Sequence, residues 1–147
     1  MKKRIFLATA LLVLAGVDSA QAEAAVTDMV IAEGREGMEP VNPGTTFSSD
    51  LPYLWCFIRI NGLEIPDSRR QAGDLPSVFH VWSRKEGDEF VEITKIQLFV
   101  GAESWRTRSR KTIHPDYEGE WRVQVLDEQE NVLATIPFTI RCPSGPE

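Results

Sequence analysis

The sequence predicts an all-β protein, a single sandwich of about seven antiparallel strands behind an N-terminal export signal. Three observations carry this. Short runs of β-branched and aromatic residues recur along the chain, Gly, Pro, Asn and Asp punctuate them, and no helical period holds beyond the first residues.

The chain begins Met1-Lys2-Lys3-Arg4, continues with an apolar run from Ile5 to Val17, and reaches Asp18-Ser19-Ala20-Gln21-Ala22. A basic start, a short apolar stretch and an A-x-A site are the three parts of a secretory signal, with cleavage expected after Ala22. The apolar run is shorter than the roughly 20 residues a membrane helix needs, so no span is expected in the mature chain. Residues 1–22 are therefore read as a signal peptide and residues 23–147 as one domain, periplasmic or secreted. The full chain has a formal charge of −6; three of its 16 basic residues and one of its 22 acidic ones lie in the signal, leaving 13 against 21 and a charge of −8. That acidity argues against general binding to nucleic acid or anionic membrane, which calls for a basic footprint.

The strands follow in order. Val26 to Ala32 reads as the first, and Gly34 to Asp50, rich in Gly, Pro, Ser and Thr, as a loop. Tyr53 to Ile60 has almost no polar interruption, the pattern of a strand covered on both faces, and Asn61-Gly62 stops it. Leu63 to Pro76 is polar and broken by Pro66 and Gly73, a long surface loop. Ser77 to Ser83 alternates, with Val78, His80 and Trp82 on one face and Phe79 and Val81 on the other. A turn about Gly87 leads into Phe90 to Val100. Gly101 breaks the pattern before Trp105 to Ile113, where Arg106, Arg108 and Arg110 share one side and Trp105, Thr107, Ser109 and Lys111 the other. Trp121 to Leu126 and Val132 to Cys142 complete the set, and Pro137 places the last strand at an edge or a bulge. Seven such segments favour an immunoglobulin-like sandwich over a small barrel.

Cys56 and Cys142 meet an oxidising compartment after export, so a disulfide between them is expected, worth typically about 2–4 kcal/mol. Two free thiols are the alternative. A metal site is not expected, because His80 and His114 lack ligand spacing, and no cofactor motif is present.

Taken in order, Leu54-Trp55-Cys56-Phe57-Ile58-Arg59-Ile60, His80-Val81-Trp82, Trp105-Arg106-Thr107-Arg108-Ser109 and Gly119-Glu120-Trp121-Arg122-Val123 resemble the bacterial family known as domain of unknown function 2914. The resemblance spans about Val26 to Ile140. It implies a fold and no activity.

Candidate sites are few. Ser109, His114 and Asp116 are the types of a hydrolytic triad, but no nucleophile-elbow sequence surrounds them, and a histidine before Pro115 suits a turn. His80, on a strand beside Trp82, fits a satisfied half-buried histidine. The carboxylates Asp88, Glu89, Glu118 and Glu120 sit in turns, where solvation accounts for them. The arginine row is the most informative feature: Arg106, Arg108 and Arg110 offer planar donors suited to carboxylate or phosphate. The simpler alternative pairs them with acids of a neighbouring strand, such as Glu92 or Glu120. Of four tryptophans, the simpler reading makes all of them core, with Trp121 inside; Trp82 or Trp105 is the one expected to be partly exposed, and two tryptophans sharing an exposed face with the arginines would make a stacking platform. The candidate binding set is thus Trp82, Trp105, Arg106, Arg108 and Arg110. The expected function is a non-catalytic binding or accessory module of the cell envelope, its partner an envelope protein or cell-surface polymer. A hydrolase using His80 or His114, and a purely structural envelope protein, are the alternatives.

Overall fold

The computed structural model describes residues 24–143, so the expected signal peptide and its cleavage point lie outside the described residues. Among the described residues, nine strands form two sheets. In chain order they are β1 (Ala25–Glu36), β2 (Glu39–Gly44), β3 (Thr46–Ser48), β4 (Tyr53–Asn61), β5 (Ser77–Glu86), β6 (Glu89–Phe99), β7 (Ser104–Thr112), β8 (Gly119–Leu126) and β9 (Val132–Arg141). One sheet has the order β2-β1-β4-β7, the other β3-β9-β8-β5-β6. All pairings are antiparallel except β3 with β9.

The seven expected strands are all present, and two more lie where a loop was expected. Within Gly34 to Asp50, β2 carries Pro40 and Pro43, which an edge strand tolerates because its outer N–H groups have no partner to lose. The short β3 runs parallel to Thr139–Arg141. Pro137 follows the same logic. Thr139 N–H donates to Thr45 on the β3 side at 2.8 Å. Two residues earlier, the nitrogen of Pro137 points the same way, past the end of β3, where no partner waits. The polar stretch before β5 holds one short helix, α1 (Asp67–Gln71). Arg69 ties it down, reaching Asp74 at 3.1 Å and Glu128 at 3.2 Å.

Alternation supplies the core between the sheets. Leu54, Cys56, Ile58 and Ile60 face inward from β4, Ile31 from β1, Val78 and Trp82 from β5, Trp121, Val123 and Val125 from β8, and Phe138 and Ile140 from β9. Phe138 takes the edge of Trp82 at 5.9 Å and stacks on Trp121 at 6.2 Å between centroids. The Trp121 indole N–H donates to the Tyr117 carbonyl at 2.7 Å, which satisfies its one polar atom.

Trp82 is fully buried, which corrects its placement among the surface candidates: it shares the face of Val78 and His80, and that face is the core.

The expected disulfide is not formed. Cys56 lies mid-strand in the core, opposite Ile31 and Ser109, while Cys142 is exposed just past β9, its thiol donating to Glu118 at 3.0 Å. Burial pushes the Cys56 thiol upward, so it stays protonated and inert.

One polar trio crosses the core. The Trp82 indole N–H donates to Ser109 Oγ at 3.2 Å, and Ser109 Oγ lies 2.6 Å from His80 Nδ1. The indole only donates, so Ser109 Oγ accepts from it and keeps a second lone pair and its own hydrogen for the bond with His80 Nδ1. Nε2 is buried without a partner. Ser109→Ala is expected to cost about 2–4 kcal/mol, since it strands a buried indole N–H and a ring nitrogen together. Urea unfolding measures this, and a loss below about 0.5 kcal/mol, the range of an ordinary surface change, would remove the network from the account.

Candidate functional site

The register of β4 and β7 sets the arginine row beside aromatic rings. Arg110 stands opposite Trp55, Arg108 opposite Phe57, and Arg106 opposite Arg59. These residues alternate with the core-facing ones and point away from the second sheet. The guanidinium of Arg110 lies 4.1 Å from the Tyr53 ring centre and 5.5 Å from that of Trp55. Arg108 lies 5.8 Å and Arg35 5.2 Å from Trp55. Trp55 is thus flanked by three cations, a geometry in which ring quadrupoles attract charge and leave the guanidinium edges free to donate.

The hairpin of β1 and β2 folds back over this face. A straight β1 would carry its end some 25 Å past Asp28 at the usual rise of about 3.3 Å per residue. Instead Asp28 and Glu39 border the same pocket, and Glu39, opposite Glu36 at the hairpin end, meets Arg106 at 3.1 Å. Met38 sits on Arg108, with Nη1 to Sδ at 2.8 Å. The overlay explains why Phe57 and Ala32 are buried although both belong to the outward side of their strands. Tyr53 to Ile60 is therefore covered on both faces along part of its length, by the second sheet and by this hairpin.

Between hairpin and sheet lies a pocket of about 150 Å³. Val30, Met38, Pro40 and Phe57 give it apolar walls, and its charged lining sets Arg59 and Arg106 beside Asp28 and Glu39. Among the described residues, no carboxylate lies within salt-bridge distance of Arg59, Arg108 or Arg110. Arg108 Nε is buried with no partner, and the Met38 sulfur is a weak acceptor for its Nη1.

Several expected placements change. Glu92 and Glu120 do not meet the arginine row, because β6 and β8 belong to the other sheet, and Glu120 instead faces Lys85 at 3.7 Å. Trp105 is partly exposed, as expected, but lies at the far end of β7 against Gly101, where an added Cβ would come within 2.8 Å of its ring. It does not join Trp55. His114 packs edge-on against Tyr117 at 4.9 Å, and Ser109 meets His80 rather than His114, so the residues of the imagined triad do not converge. Burial lowers His80 to about 3, so it is neutral. Among the described residues, no group of three His, Cys, Asp or Glu side chains stands ready for a metal, and no helix is long and apolar enough to cross a membrane.

Tyr53, Trp55, Arg59, Met38 and Glu39 complete the face and were missed. The alternation of Tyr53, Trp55, Phe57 and Arg59 against Leu54, Cys56, Ile58 and Ile60 carries the signal for the first three.

Comparison with known proteins bears on the strands that build the second sheet and the arginine row. Residues 76–140 match the family described as Protein of unknown function (DUF2914). This is the family that the Trp105–Ser109 and Gly119–Val123 blocks resemble. The DUF2914 match runs from the start of β5 to the end of β9 and includes Arg106, Arg108 and Arg110. The hairpin and β4, which supply Glu39, Met38, Trp55 and Arg59, precede the matched stretch. No curated protein matches the chain.

Proposed function

We propose that the protein is a non-catalytic binding module of the cell envelope, exported through its N-terminal signal, that takes an anionic ligand on the outer face of the four-stranded sheet. The observation that carries this reading is the accumulation of Arg59, Arg108 and Arg110 without carboxylate partners, beside Trp55, in a chain whose overall charge is negative. Guanidinium groups collected without counter-charge repel one another, and an arriving carboxylate or phosphate relieves that repulsion. The Ser109 and His80 pair supports a non-catalytic role, since both are sealed from solvent where no substrate reaches them.

The strand order supports an immunoglobulin-like reading of the sandwich. β1, β4 and β7 take the places of strands A, B and E, while β5, β8 and β9 take those of C, F and G, with β6 added beside C. Buried Trp82 on β5 stands where such domains keep a core tryptophan.

The test is crosslinking followed by affinity recovery from the protein's own cell envelope, comparing wild type with the Arg106, Arg108, Arg110 triple glutamine variant. A partner recovered by wild type and lost from the variant is the expected result. A recovery unchanged by the three substitutions would sink the assignment to this face.

A further inference from the structure

The pocket beneath the hairpin narrows the ligand class. Its volume of about 150 Å³ matches that of a cavity able to hold one benzene-sized group. Much of the lining is apolar, and the polar part carries Arg59 and Arg106 together with the carboxylates Asp28 and Glu39, with Arg108 next along β7 outside the lining. Two of these arginines are already engaged by the hairpin in ways that fall short of their capacity. Arg106 holds the Glu39 carboxylate through Nη1 alone, and Arg108 holds a thioether sulfur while its Nε goes unpaired. A guanidinium has five N–H donors arranged as a fork, and a carboxylate is the group that fills two of them at once.

Resting on the anion-binding reading above, we propose that this pocket binds a carboxylate attached to an apolar group of about benzene size, and that Glu39 is the chain's own stand-in for it. The ligand carboxylate takes the place of Glu39 on Arg106 and reaches Arg108, and the apolar group enters between Val30, Pro40 and Phe57. A free aryl or alkyl acid and the C-terminal carboxylate of a polypeptide ending in an apolar residue present the same chemistry.

Phenylacetate, phenylacetamide and N-acetyl-Gly-Gly-Phe are titrated into the purified full chain, reading the arginine Nε–H resonances by NMR and tryptophan fluorescence. Phenylacetate is expected to shift the Arg106 and Arg108 signals at millimolar concentration, and phenylacetamide to leave them in place. Glu39→Gln is expected to tighten phenylacetate binding by about 2- to 5-fold, the worth of releasing an exposed ion pair. Arg108→Lys, which keeps the charge and loses the fork, is expected to weaken it by about 10-fold. Tighter binding of the peptide than of phenylacetate assigns the site to polypeptide C-termini, and the reverse assigns it to free acids.

Equal binding of acid and amide, shifts confined to residues elsewhere, or a Glu39→Gln variant that binds no tighter would each overturn the proposal. Polyglutamate separates this failure from that of the broader reading. If polyglutamate binds wild type and not the triple variant while phenylacetate and the peptide do not bind, the anionic face stands and the pocket proposal falls. If none of the three binds, both fall.

Discussion

Lowering the pH from 7 to 4 is expected to remove on the order of 3 kcal/mol of folding stability through His80 alone. In the folded protein burial holds the imidazole down to about 3, against an ordinary value of 6.5. The unfolded chain therefore takes up a proton between these values that the folded chain refuses. The contribution of a neutral His80 is complete above pH 6.5 and is lost as the pH falls toward 3, at about 1.4 kcal/mol per pH unit once the unfolded histidine is protonated. His80→Asn isolates the effect, because an amide can still share a hydrogen bond with Ser109 and the side chain does not titrate. Urea unfolding of both proteins at pH 7 and pH 4 gives the comparison. Equal losses in the two would show that His80 does not couple folding to protonation.

Trp82→Ala is the substitution with the largest expected cost, about 3–5 kcal/mol, the range for deleting a buried aromatic side chain. Trp82 is fully buried, packs on Phe138 and anchors Ser109 through its indole N–H. The loss thus combines a cavity between the two sheets with an orphaned hydroxyl acceptor. Trp105→Ala serves as the control, since its ring is partly exposed at the end of a strand and its loss is expected to cost about 1 kcal/mol or less. The difference is read from urea midpoints at neutral pH. Similar costs for the two tryptophans would contradict the placement of Trp82 at the centre of the core.

Local pattern makes most of the strands legible in the sequence. Period-two alternation placed Val78, His80 and Trp82 on one face of β5 and the three arginines on one face of β7, and both groupings hold. What alternation does not say is which face turns inward when both carry apolar groups. Phe79 and Val81 oppose Val78 and Trp82, so the burial of Trp82 depends on how the sheets stack. Sheet membership is equally non-local. β6 and β7 are neighbours in sequence and lie in different sheets, which is why Glu92 is not opposite the arginines. The folded-back hairpin was hidden for another reason. Pro40, Pro43 and Gly44 read as a loop, because an edge strand tolerates the residues that a central strand excludes. The disulfide expectation failed on geometry, since compartment and parity of cysteines say nothing of which way either side chain faces.

The ends of the two sheets bear on how the protein behaves at high concentration. A sheet grows wherever an unpaired strand can accept another, and each of the four terminal strands here carries a different obstacle. β2 has two prolines, β3 is three residues long, and β6 has an extra residue at Ile93 that interrupts its ladder against β5. β7 has its arginines, so a second copy aligned along it would set like charge against like charge. Each of these features works against edge-to-edge growth of the sheets, the route by which a protein rich in β-strand templates fibres of itself.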